Sequence, residues 1–289
     1  MGTTTIQKGQ PGSRAWFRDS FVLHKLHSLT GVFPIGVFMI QHLLANSYSL
    51  RGEREFNTVV SVFGYLPFVA VLEWILIFLP LLFHSIYGFF ITAEMRANVG
   101  VYQYGRNWLY WLQRVSGIAA FLYIGFHTYS TWGVKKLYEL SGGGAAHEMG
   151  FRAISYDAML WRFAEPWYVA VYVLGIAMSA FHLANGLFNF GIRWGITIGA
   201  TAQKVSAVLW SGLGVALALI GIATAVNFHV RSRNFENTGA SIRARYATLD
   251  QLVKAEDAPA APVPGRKPEP TETGATPGVE SPTAPSSPR

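Results

Sequence analysis

The sequence predicts an all-α membrane protein, a bundle of five transmembrane helices. Three observations lead there. Of its 289 residues, 51% are hydrophobic and only 13% are charged, whereas a soluble domain carries about a quarter charged residues. Five stretches reach the roughly 20 mostly apolar residues needed to cross a bilayer; they fall at about 26–48, 66–92, 108–132, 167–192 and 205–228. Four of them each hold one histidine well inside, His42, His84, His127 and His182. Ionisable side chains at membrane depth are costly and normally mark function.

Taken in order, residues 1–24 form a polar N-terminal segment without the apolar core of a signal peptide, so the first span is expected to act as its own insertion signal. Spans one and two contain Pro34 and Pro80, which membrane helices tolerate when neighbouring groups satisfy the freed carbonyls. Residues 49–65 read as a short polar connection with Arg51, Glu53, Arg54 and Glu55, and residues 93–107 as a short basic one. The connection 133–165 is longer, with a Gly-Gly-Gly-Ala-Ala run at 142–146 and an amphipathic stretch at 151–163 suited to the membrane surface. Trp108, Tyr110, Trp111, Trp132, Trp161, Trp167, Tyr168 and Trp194 gather near span ends, as in interfacial belts. The transmembrane domain is expected to cover 25–230. Nine of the fourteen prolines fall between Pro259 and Pro288, so 231–289 reads as a disordered tail.

Successive spans alternate in direction, and each of the four histidines lies in the second half of its span. His42 and His127 therefore fall near one membrane face, His84 and His182 near the other. That makes two pairs at two depths, separated vertically by roughly 15–20 Å. Imidazole is the usual protein donor to haem iron, and six-coordinate haem needs one imidazole above the ring and one below. The chain has no cysteine, which excludes thiolate sites and covalent haem attachment. The implied cofactors are two stacked, non-covalent b haems. His24, His27, His147 and His229 lie at span ends or in loops and are not expected to ligate iron. His27 has a better claim as a propionate or quinone-side hydrogen-bond partner.

Two phrases echo between the halves. His27-Ser-Leu-Thr-Gly31 precedes His42 as Gln113-Arg-Val-Ser-Gly117 precedes His127, and Phe-His-x-x-x-Gly occurs at both His84 and His182. Gly88 and Gly186 are placed to let a flat ring approach the helix.

With these residues in place the chain resembles the membrane anchor of succinate:quinone oxidoreductases. The likeness is to the single-polypeptide, two-haem cytochrome b subunit (b558 type) of succinate dehydrogenases and fumarate reductases. It rests on Leu26-His-Ser-Leu-Thr-Gly-Val32, Gln41-His42, Phe56-Asn57, Phe78-Leu-Pro-Leu-Leu81 with His84 and Gly88, Arg106-Asn-Trp-Leu109, Leu112-Gln-Arg-Val115, Phe126-His127 and Phe181-His182 with Asn185-Gly-Leu187. The resemblance implies that His84 and His182 hold the haem nearer the hydrophilic subunits, and His42 and His127 the distal one. It implies an iron–sulfur subunit and a flavoprotein as partners, menaquinone as electron acceptor, and a cytoplasmic N-terminus in a bacterial cytoplasmic membrane. Basic residues do not choose the orientation. Arg14, Arg18, Lys25, Arg96, Arg106, Arg114, Arg193 and Lys204 on one side balance Arg51, Arg54, Lys135, Lys136, Arg152, Arg162, Arg231 and Arg233 on the other.

Arg193 is the first candidate for a haem propionate, followed by Ser28, Trp108 and Arg114. Glu73 is the one acid well inside a predicted span and a candidate for the proton or quinone side of the reaction. Two rival readings are the di-haem anchor of a hydrogenase or formate dehydrogenase, and a haem-free membrane scaffold or transporter.

Overall fold

The computed structural model describes residues 21–64, 66–94, 99–140, 150 and 152–234, without the side chain of Asn234. Arg14, Arg18, Arg96, His147, the glycine run and the tail beyond 234 lie outside the described residues. The described residues form helices and turns, with no strand among them.

The helices are α1 (Phe21–Leu50), α2 (Glu53–Gly64), α3 (Val69–Ala93), α4 (Gly105–Thr128, running on through Tyr129–Gly133 and Val134–Leu140), α5 (Tyr156–Phe163), α6 (Pro166–Arg193) and α7 (Ala200–Asn234). Four of them, α1, α3, α6 and α7, are long and apolar enough to cross a membrane. The remaining expected span, 108–132, is helical in α4. Its Trp, Tyr, Gln and Arg residues dilute its apolar character, which is why composition singles it out less strongly.

The spans tolerate both prolines, as expected, and the structure adds a local widening of the helix beside each. Gly31–Gly36 is a wide π turn around Pro34, and Phe33 leaves the helical region at φ −95°, ψ 156°. A second π turn, Glu73–Phe78, ends just before Pro80. Proline lacks an N–H and crowds the carbonyl one turn back, and a wider turn relieves both problems.

Two connections differ from expectation. Residues 49–65 are not simply a polar link: they contain α2, whose Phe56 is buried against Tyr156 and Phe228. The amphipathic stretch near 151–163 folds as α5, but its apolar side faces protein rather than lipid. Tyr156, Met159, Leu160 and Phe163 join one buried cluster with Phe56, Tyr168, Tyr172 and Phe228. The Asn57 side chain fixes this layer by accepting the Tyr156 backbone N–H at 2.9 Å.

α6 is the axis of the bundle. Its apolar stretch is 44% buried, against none for α3, whose apolar surface is left to lipid. It packs on α4 and α7, and small residues bring the helices close. A methyl on Gly214 would stand 2.6 Å from Ala184 Cβ, and one on Gly221 would stand 2.8 Å from Ile176. In lipid, such close backbone packing takes over much of the role of the hydrophobic effect.

Candidate functional site

The four span histidines meet in two pairs. His84 on α3 faces His182 on α6 with ring centroids 6.2 Å apart and planes at 90°. His42 on α1 faces His127 on α4 at 5.6 Å and 76°. Each pair joins two helices. Along α1, from the level of His27 beside the first pair to His42 in the second, the rise is roughly 22 Å.

In the first pair both rings are tied by Nδ1. His84 Nδ1 lies 2.9 Å from the His27 carbonyl oxygen, and His182 Nδ1 lies 3.0 Å from that of Gln113. A carbonyl only accepts, so each Nδ1 carries the hydrogen and each Nε2 keeps its lone pair. Gln113 also donates to the His182 carbonyl at 3.1 Å and accepts from Asn185 at 2.7 Å. In the second pair His127 Nδ1 meets the Tyr172 hydroxyl at 2.9 Å. The hydroxyls continue through Tyr168 and Ser130, and Ser130 donates to the His127 carbonyl at 3.2 Å. That closing carbonyl sets the direction of the ring, so His127 Nδ1 is again a donor. His42 differs: the Asn46 amide stands 3.3 Å from its Nε2 and donates more closely to its carbonyl, at 2.8 Å.

His27 lies flat against His84, with centroids 4.1 Å apart and planes within 10°. Cationic and polar groups gather around this end. Arg193 donates to the His24 carbonyl at 3.4 Å, and Lys25 donates to the Arg193 carbonyl at 2.7 Å. The Trp194 indole donates to the Ser28 hydroxyl at 3.1 Å. Arg114 donates to the Tyr110 carbonyl and lies over the Tyr110 ring, and it is electrostatically coupled to Arg193. Ser28, Arg193 and Arg114 thus share one end of the bundle with His84 and His182. Trp108 stands apart, exposed and edge-on to Trp111. At the other end, Glu73 accepts the Trp132 indole N–H at 3.0 Å, five residues beyond His127 on α4.

The residues fit b-type haem on two observations. Two imidazoles bonded through one metal ion at about 2 Å each have centroids roughly 6 Å apart, as both pairs do. Around the first pair, His27 Nδ1 and Arg114 Nε are buried without a hydrogen-bond partner, and beside Arg193 they suit an anionic carboxylate.

Sequence reasoning placed the four ligand candidates but not their supports. Gln113, Tyr172, Gly31 and Gly117 carry no charge to draw notice. The repeated His27–Gly31 and Gln113–Gly117 phrases were the available signal. Gly88 and Gly186 were expected to make room at the histidines. In the structure Gly88 faces the His27 ring and Gly186 faces Gln113.

Fold and site together define an integral membrane protein whose helical bundle pairs imidazoles across its interior at two levels. No family model matches the chain. The succinate dehydrogenase cytochrome b558 subunit of Bacillus subtilis (strain 168) is 36% identical to it over 202 residues, 70% of this chain and 94% of the relative. The chain belongs to the succinate dehydrogenase cytochrome b558 subunit family.

Proposed function

We propose that this chain anchors a succinate:quinone oxidoreductase in the bacterial cytoplasmic membrane and holds two b haems. His84 and His182 ligate the proximal haem, and His42 and His127 the distal one. The observation that carries this reading is the pairing of the four imidazoles from four helices, with ring centroids 6.2 and 5.6 Å apart. The site is completed by α4 acting as the fifth span and by a cytoplasmic N-terminus. The domain layout is a polar segment to residue 24, the membrane bundle over 25–230 and a disordered tail from 231.

When bound, the haems supply one-electron carriers between an iron–sulfur partner and a quinone, menaquinone by family resemblance. The flavoprotein partner performs the chemistry on succinate, since this chain has neither cysteines nor a dinucleotide fingerprint. The chain's own residues orient and neutralise. At His84, His182 and His127, Nδ1 donation to fixed oxygens locks the imidazole planes and strengthens Nε2 as a ligand. Arg193, Arg114, Ser28 and His27 hold the proximal propionates. Glu73, tied to Trp132 near the distal pair, supplies a proton at the quinone end.

Copurification from the native membrane tests the proposal. It predicts a flavoprotein, an iron–sulfur protein and two b haems per chain. A haem-containing complex with a hydrogenase or formate dehydrogenase would move the chain to another quinone-linked system. A haem-free preparation would leave a scaffold.

A further inference from the structure

We infer that Gly31 and Gly117 are positioning residues for the proximal ligands, two copies of one device built into α1 and α4. The inference rests on the haem reading above and adds what holds His84 and His182 in register.

The device is a phrase of five residues used twice, His27-Ser-Leu-Thr30-Gly31 and Gln113-Arg-Val-Ser116-Gly117. In each copy the carbonyl of the first residue receives a histidine Nδ1 from another helix, at 2.9 Å for His84 and 3.0 Å for His182. In each copy the hydroxyl of the fourth residue reaches that same carbonyl: Thr30 at 3.1 Å, shared with the Leu26 carbonyl at 2.9 Å, and Ser116 at 3.1 Å, with its oxygen 3.4 Å from His182 Nδ1. In each copy the fifth residue is the glycine against which the same imidazole rests. A methyl on Gly31 would overlap His84 Cε1 and lie 2.8 Å from its Nδ1; one on Gly117 would lie 2.8 Å from His182 Cε1 and 3.2 Å from its Nδ1.

Helix geometry explains the spacing. A helical carbonyl points toward the N–H four residues on and has a second lone pair to offer. The Cβ of that later residue leans back toward the N-terminus, over the carbonyl. Glycine at that position uncovers the lone pair and lets a ring from a neighbouring helix settle on it. The ring rests on the glycine by its Cε1 edge, with Nδ1 turned to the carbonyl. The carbonyl bond makes no demand on the first side chain, which is His in one copy and Gln in the other; each side chain adds its own contact, the His27 ring lying flat on His84 and the Gln113 amide donating to the His182 carbonyl.

Nδ1–H donation to a carbonyl gives imidazole more anionic character, which favours oxidised iron. Weakening that bond raises the midpoint potential. Relieving the carbonyl of its competing hydroxyl strengthens the bond and lowers the potential.

The test uses the whole complex purified with its partner subunits, read by redox titration and low-temperature electron paramagnetic resonance. Gly31→Ala and Gly117→Ala should each raise the midpoint of one and the same haem, or release it, while the other haem is unmoved. Ser116→Ala, which adds no bulk, should lower the midpoint of that haem. Gly125→Ala on the same helix, where an added methyl meets nothing within 4 Å, should leave both haems as in the wild type. If the glycine variants fail to assemble, the sign of the Ser116→Ala shift decides. Two haems in the wild type with unmoved potentials in Gly31→Ala, Gly117→Ala and Ser116→Ala overturn this inference alone. A wild-type complex without haem overturns the haem reading itself, and this inference with it.

Discussion

The His84 and His182 rings stand at 90° across a centroid gap of 6.2 Å, each locked by a backbone carbonyl that is not on its own helix. Two helices far apart in sequence are thereby held at a spacing suited to one metal ion. Replacing either histidine with alanine is expected to lower the haem content from two per chain to one. The pyridine haemochrome count checks this, and the remaining haem should keep the spectrum of the distal site.

The cationic end of the bundle makes a prediction of sign. Arg193 lies near His27 and Arg114, at the end where the proximal propionates are proposed. Removing a positive charge favours the more positive, oxidised state of a nearby haem. Arg193→Gln should lower the proximal midpoint by about 60 mV, a tenfold change in a one-electron equilibrium. Redox titration of the purified complex measures it, and a rise would put the charge elsewhere.

Phe56 offers a prediction about stability. It is 2% exposed and packs edge-on against Tyr156 and Phe228, joining α2, α5 and α7. Phe56→Ala leaves a void that these rings fill only in part, at a cost of about 3 kcal/mol. Thermal unfolding in detergent should show the loss, with both haem spectra unchanged before unfolding.

Much of this was legible in the sequence, and the reasons differ by element. Length and apolarity marked α1, α3, α6 and α7, because lipid demands both. The depth of the four histidines followed from alternating span direction and their place in the second half of each span, and the structure brings His84 to His182 and His42 to His127 in keeping with it. α2 and α5 were less legible. Their apolar sides are narrow, and only the packed structure shows that Phe56, Tyr156 and Phe163 meet one another rather than lipid. The hydrogen-bond supports were hidden for another reason. A backbone carbonyl at His27 or Gln113 has no signature of its own, and Tyr172 looks like any aromatic residue in a span.

Glu73 bears on the quinone end. Its carboxylate accepts the Trp132 indole beside Trp74 and Phe78. If it delivers a proton there, Glu73→Gln should slow quinone reduction about 100-fold while both haems are retained. A rate and pH profile equal to wild type would make the contact an interhelical tie only.

The most direct measurement is the haem count of the purified chain alongside a variant with alanine at His42, His84, His127 and His182 together. Two b haems per chain in the wild type, and none in the variant, is the predicted result. Unchanged b-type absorption in the variant, or no haem in the wild type, would contradict it.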